Sequence, residues 1–266
     1  GTLIDGGVVL TAGHCVYTHT ANVGNPPAPL VFNRWAEEIY VYPGWNGAAE
    51  APPSNTVSQY WGWARSTNYQ SNTAWVDNVD FNADLAVIRL NRTSTRNIGM
   101  LTGWYGMSYD GCDGSTFYNW SYPAETCNPP TNTMHTGRQM YYWAGTVNEC
   151  PNLVNGNQYI IHTAAGCLTA VWGGMSGSSM YKFVDGSRTV MAVCSRSNRS
   201  TRGYYCGLTD WFFTQSNTWI SDTRGTVFDA EVLRCRITGA TTFPAASEVT
   251  TANFVATNPT NNNPAR

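Results

Sequence analysis

Gly173-Gly174-Met175-Ser176-Gly177-Ser178 sets the reading of this chain. A serine hydroxyl is a poor nucleophile at neutral pH and needs a base within hydrogen-bond reach, itself oriented by a third group. The chain offers both. His14 stands in Thr11-Ala12-Gly13-His14-Cys15, and Asp84 in Asn82-Ala83-Asp84-Leu85-Ala86-Val87-Ile88-Arg89-Leu90. In such a trio His14 takes the proton from Ser176, while Asp84 holds the imidazole and the imidazolium that forms. The N–H groups of Gly174 and Ser176 are placed to converge on an oxyanion, and Gly177 lets the chain turn away behind the hydroxyl. Each motif alone has an ordinary reading: a strand end with a disulfide cysteine, a serine turn, an aspartate capping a buried strand. The order His, Asp, Ser with agreeing flanks favours the joint reading.

At 266 residues the chain has room for one large all-β unit or two smaller ones. A net charge of −2 gives no electrostatic case for a nucleic-acid partner. No apolar run is long enough to span a membrane. Lys182 is the sole lysine, which composition does not explain. Eight cysteines without a CxxC pair or zinc-type spacing predict disulfides and an oxidising compartment, with no metal or cofactor. Spacing does not settle the pairing; the near neighbours Cys112–Cys127, Cys150–Cys167 and Cys194–Cys206 are expected, leaving Cys15 and Cys235. Three sequons, at Asn91, Asn119 and Asn198, point with the cysteines to a secreted or cell-surface glycoprotein. The chain begins at Gly1 without Met or a signal segment, which reads as processing or as a piece of something longer.

Short β-type runs separated by Gly, Asn, Pro and Ser predict an all-β fold. They are Val8–Leu10, Glu38–Tyr42, Leu85–Leu90, Gln139–Val147, Gln158–His162 and Thr189–Ser195. The one helix expected covers Thr209–Ile220, with Leu208, Phe212, Phe213 and Trp219 on an apolar face. Residues 43–75 read as a long surface insertion, and the Thr/Asn/Pro-rich tail from about Ala240 as a linker. His19, His135 and His162 have no acidic or cysteine partner at ligand spacing and read as surface or core histidines. Eleven tryptophans without a repeated spacing read as packing residues.

The chain resembles the chymotrypsin-like serine peptidases, and within them the microbial branch that includes the glutamyl endopeptidases. The resemblance is carried by Gly1–Ile4 with Val8–Cys15, by Tyr40–Trp45, and by Asp84–Leu90. It continues through Ile98-Gly99, Thr102–Gly106, Gly173–Met180, Val190–Ser195 and the helix near Trp211–Ile220, so that about residues 1–222 are covered. It implies two six-stranded antiparallel β-barrels: residues 1–100 with His14 and Asp84, and residues 101–222 with Ser176 and a terminal helix. Residues 223–266 would form an extension. It implies a protein or peptide substrate and a pocket bounded by Ala170, Val171, Ser195, Arg196 and Ser197.

The departures from the family pattern are informative. The first barrel would lack its opening strand and the usual partner of Cys15, so an upstream segment or second chain is expected to complete it. Met175 stands where animal relatives carry an Asp that pairs with a new N-terminus, so activation of that kind is not expected. Ala170 stands where a trypsin has Asp, and Cys194 where glutamyl endopeptidases carry His. Arg196 could pair with an acidic side chain, although a solvated surface arginine is the simpler reading. Two functions remain: a secreted serine endopeptidase, or a structural or adhesive glycoprotein domain on the same fold. An esterase is a third possibility that nothing selects.

Overall fold

The computed structural model describes residues 1–19, 33–45, 63–91, 97–109, 111–124, 135–153, 156–162, 171–198 and 201–224. In the first half, strand β1 (Thr2–Asp5) turns back through Gly6-Gly7 onto β2 (Val8–Thr11). Strand β3 (Tyr17–Thr18) pairs with β4 (Arg34–Trp35), and β5 (Ile39–Val41) with β6 (Ala64–Ser66). Strand β7 (Tyr69–Ser71), helix α1 (Thr73–Asn78) and β8 (Ala86–Arg89) follow. The main sheet is antiparallel in the order β1-β2-β8-β7. Val9, Val16, Ala64, Ala86, Ile88 and Leu90 close a core over it. Each large aliphatic buried this way contributes about 1.5–3 kcal/mol, so the short two-stranded ladders are held by this core and not by their few hydrogen bonds.

The second half follows α2 (Gly99–Thr102). Its strands are β9 (Gly106–Met107), β10 (Thr116–Ser121), β11 (Tyr141–Thr146), β12 (Asn152–Leu153), β13 (Gly156–His162), β14 (Ser179–Val184), β15 (Ser187–Ser197) and β16 (Arg202–Gly207). They form one sheet in the order β11-β10-β14-β15-β16-β13-β12, with β9 parallel to β15. Two-residue β9 and β12 aside, six longer strands remain. Phe117, Tyr159, Met175, Met180, Met191, Cys194 and Tyr205 fill a separate core. Helix α3 (Asp210–Arg224) covers the expected Thr209–Ile220, with the Thr209 hydroxyl accepting the Phe212 N–H at its start. Leu208 and Phe212 are buried, and Phe213 packs on Tyr109. The Trp219 side chain and the tail lie outside the described residues. By backbone contacts the chain divides into Gly1–Ser216, which holds every described strand, and Asn217–Arg266. None of its described helices is long and apolar enough to cross a membrane.

Several expectations are corrected. The presumed insertion 43–75 is narrower, because Ala64–Ser66 and Tyr69–Ser71 are paired strands of the first half; residues 46–62 lie outside the described set. Cys112 is bonded to Cys150, not to Cys127. The β10–β11 register explains this: Thr116 faces Thr146, and each cysteine lies four residues beyond that pair. Cys127, Cys167 and Cys235 are not among the described residues.

Cys194 and Cys206 are both unbonded. Cys194 faces Tyr205 and Cys206 faces Val193, so the alternation of neighbouring side chains sends the two thiols to opposite faces. The Cys194 thiol lies in the core, whereas that of Cys206 donates to the Asn82 carbonyl at 2.8 Å. Asn119 is fully buried and its Nδ2 donates to Ser178 Oγ and the Ser179 carbonyl, so the folded chain offers no glycan acceptor there. Lys182 finds its reason in the second half. Its nearly buried ammonium donates to the Gly111 carbonyl at 2.9 Å and to Asp113 at 2.7 Å, and it holds the Asp113 carboxyl well below the usual range.

Candidate active site

Strands β2 and β8 are neighbours, and their register places Thr11 opposite Ala86. His14 comes three residues after the one, on a 3-10 turn Gly13–Cys15; Asp84 comes two residues before the other. The sheet thus brings together two side chains seventy positions apart. The 3-10 turn Phe81–Ala83 delivers Asp84, and Asp80 caps that turn by accepting the Asn82 N–H at 2.9 Å. Asp80 is therefore a turn residue, and Asp77 is an exposed position of α1.

Asp84 is fully buried and its carboxylate accepts three hydrogen bonds. Oδ1 takes the His14 backbone N–H at 2.8 Å; Oδ2 takes His14 Nδ1 at 2.8 Å and Ser195 Oγ at 2.6 Å. A carboxylate accepts only, so Nδ1 carries its proton and Nε2 is the ring nitrogen left to act as a base. Burial pulls the His14 pKa down. The hydrogen bond to Asp84, joined by one donated to the Cys15 sulfur and by the Asp84 charge, outweighs it and raises the His14 pKa to about 11, above its ordinary 6.5.

Two parts of this arrangement were absent from the sequence reading. Ser195 is expected only as a boundary of the pocket, but next to a register shift between Cys194 and Arg196 its hydroxyl donates to Asp84. Helix α1, opened by Asn72 accepting the Ala74 N–H, carries the fully buried Trp75 behind the histidines. Its ring lies edge-on to His14 at 6.2 Å and to His19 at 5.1 Å. The Asn72-Thr73 cap was the available signal, in a helix too short to show periodicity.

Ser176 sits in the turn that leads into β14. Backbone bonds from Met175 to Trp172, Gly177 to Cys194 and Ser178 to Met175 tie this turn down. Among the described residues no backbone carbonyl takes the N–H of Gly174 or Ser176. Gly174 has φ +89°, and a Cβ there would lie 2.7 Å from the Tyr122 carbonyl oxygen. Gly177 has φ +80°, and a Cβ would lie 2.2 Å from Thr11 Oγ1. The two halves of the unit meet at Gly177, so Gly177→Ala adds about 1–2 kcal/mol of left-handed strain to a clash. A fall in Tm of more than about 4 °C by thermal melting is expected.

His14 and Ser176 line one cavity of ≈ 320 Å³ together with Phe81, Trp172 and Arg196. Val171, Ser195 and Ser197 of the expected pocket line it too; Ala170 lies outside the described residues. Arg196 is an exposed arginine, as expected, and it lies against two rings. Its guanidinium lies 4.5 Å from the Phe81 ring centre and 5.0 Å from that of Tyr204. Met175 is buried in the second core. His19 is a core histidine whose Nε2 meets the Trp75 carbonyl at 2.7 Å, and His135 packs between Tyr141 and Trp172. His162, expected to lack an acidic partner, is paired with Glu149, which also meets Arg202.

No protein-family model matches the chain. Among solved structures it superposes on a thermostable serine protease from an extremophilic microorganism with TM-score 0.58 and 14% identity, over 81% of this chain and 85% of the other. It superposes on the protease Anisep from Arthrobacter nicotinovorans with TM-score 0.53 and 18% identity, over 77% and 80%. For a Glu endopeptidase the values are 0.57 and 20%, over 82% and 83%. The chain therefore has the fold of the chymotrypsin-like serine peptidases, and a glutamyl endopeptidase is among its structural neighbours. In sequence it is 25% identical over 201 residues to a curated relative from Bacillus subtilis (strain 168), an "Extracellular metalloprotease". That match takes in 75% of this chain and about half, 51%, of the relative's length.

Proposed function

We propose that the chain is a secreted serine endopeptidase acting through His14, Asp84 and Ser176. The observation that carries this is the His14 Nδ1–Asp84 Oδ2 bond of 2.8 Å, in a cavity that the same histidine shares with Ser176. Ser176 Oγ attacks the substrate carbonyl while its proton passes to His14 Nε2. The N–H groups of Gly174 and Ser176 receive the oxyanion. Collapse breaks the C–N bond, and His14 returns the proton to the departing amine. Water then attacks the acyl ester with His14 again as base, releasing the acid and restoring the Ser176 hydroxyl. The Cys112–Cys150 disulfide supports an oxidising, extracellular setting.

The curated relative's name carries a metal. Among the described residues no three His, Cys, Asp or Glu side chains converge as a ligand set, so these residues do not fit a metal centre. Labelling by a fluorophosphonate tests the serine reading directly: one adduct on Ser176 of the folded chain is expected, and no adduct beside a reactive control enzyme would sink it.

The cavity beside His14 also supports a preference. Among the described lining residues Arg196 carries a permanent charge, beside His14, and none is a carboxylate. A guanidinium packed against rings still has N–H donors for an anion, which favours an acidic substrate side chain there over a basic one. Arg196→Glu is expected to lower kcat/KM for acidic peptides by at least about tenfold and to spare neutral ones. Equal losses for both would remove Arg196 from specificity.

A further inference from the structure

Ser176 lines a second cavity, of ≈ 270 Å³, distinct from the one beside His14 and Arg196. The two have opposite chemistry. The second is lined by the aromatic residues Tyr42, Trp104, Tyr105, Trp120, Tyr122 and Tyr181, and none of its described lining residues carries a charged side chain. Most of these rings are fixed in place. Trp120 Nε1 donates to the Tyr181 hydroxyl at 3.0 Å, the Tyr122 hydroxyl donates to the Trp45 carbonyl at 2.8 Å, and Tyr105 packs edge-on against Tyr181 at 5.0 Å. Trp120 nevertheless keeps 45% of its surface exposed, so the wall opens to solvent.

A solvent-open cavity lined by aromatic residues and free of charged side chains suits a ligand group that is large, flat and uncharged. A bulky uncharged side chain of a peptide is such a group.

We infer that this cavity is a second substrate subsite, across Ser176 from Arg196, that takes a large uncharged, preferably aromatic, residue of the peptide. The inference rests on the endopeptidase reading for its position on the far side of the scissile bond. The substrate is then a chain read from both sides of the cleavage point: an acidic residue by Arg196, an aromatic one by the ring-walled cavity.

Peptides identical up to the cleaved bond and carrying Trp, Tyr, Gly or Asp just beyond it provide the test with the full chain. Trp and Tyr are expected to exceed Gly in kcat/KM by about tenfold, and Asp to fall below Gly. Trp120→Ala, at a half-exposed position, is expected to shrink the aromatic advantage, the ratio of kcat/KM for the Trp peptide over the Gly peptide, to less than about threefold.

The same peptides, titrated into Ser176→Ala and followed by calorimetry, report binding without turnover. Aromatic preference in binding with no fluorophosphonate adduct on the unaltered chain would keep the subsite and overturn the catalytic reading. A fluorophosphonate adduct with no aromatic preference in either assay would overturn the subsite alone. No preference and no adduct would overturn both.

Discussion

Ser176→Ala is expected to abolish peptide hydrolysis, lowering kcat by at least about 10⁴-fold, with the fold unchanged. The size follows from what the substitution removes. The oxyanion donors Gly174 and Ser176 are backbone groups and survive it, as do the cavity walls and the His14–Asp84 pair. Substrate still binds, but no hydroxyl remains to carry the acyl group, and direct attack by water is left as the residual path. Ser176 is half-buried and its side chain anchors none of the bonds that tie its turn down, so the thermal midpoint should stay within about 2 °C. Rate and melting measured on one preparation separate chemistry from folding. An alanine variant that retains more than a tenth of the activity, after contaminating proteases are excluded, would take the nucleophile away from Ser176.

Asp84→Asn is expected to act almost as strongly, by about 10⁴-fold in kcat near neutral pH, and to change the pH profile as well. Asp84 gathers the His14 N–H, His14 Nδ1 and the Ser195 hydroxyl on one buried carboxylate. Asparagine offers one acceptor oxygen in place of two and adds an NH₂ that needs acceptors of its own. The imidazole is then free to adopt the wrong tautomer, with its lone pair turned from Ser176.

The charge matters independently. In the unaltered chain His14 is held protonated up to about 11 against the opposing effect of burial, so the neutral base becomes more abundant as pH rises. The rate should therefore climb toward alkaline pH along a limb set by His14. Without the carboxylate charge, burial gains weight and the titration moves downward. Stability moves the other way with pH. Because the folded pKa exceeds the unfolded 6.5, the His14–Asp84 contribution is complete below about 6.5 and is lost as pH rises through about 11. Melting scans from pH 6 to 11 should show the unaltered chain losing stability relative to Asp84→Asn across that window. NMR titration of the His14 ring checks the same shift; an identical titration in both proteins would overturn the pairing.

Most strands were legible because they are short apolar runs bounded by Gly, Asn and Pro, and burial on a pleated surface needs little else. Val8–Leu10 and Thr189–Ser195 lie in β2 and β15, and Leu85–Leu90 contains β8. The candidates His14, Asp84 and Ser176 can be picked out because each sits in a motif whose neighbours are constrained by geometry: a tight turn, a buried strand, a loop with left-handed glycines. Strand register was not legible. Pairing by distance in sequence gave Cys112 and Cys194 the wrong partners, since bonding follows which residues stand across a ladder and which face they occupy. Asn119 shows the same limit from another side: its triplet is a glycan signal, yet the strand buries it.

What the sequence specifies here is local: residue types whose chemistry belongs together, and the runs that form strands. Their assembly is decided only in three dimensions. The β2–β8 register joins His14 to Asp84, and the bulge at Ser195 adds the third donor. Phe81 and Tyr204, more than a hundred residues apart, both lie against the Arg196 guanidinium. The rings around the second cavity come from segments spread between Tyr42 and Tyr181. Contacts of this kind depend on which side chains the closed sheets bring face to face, and no spacing along the chain encodes that.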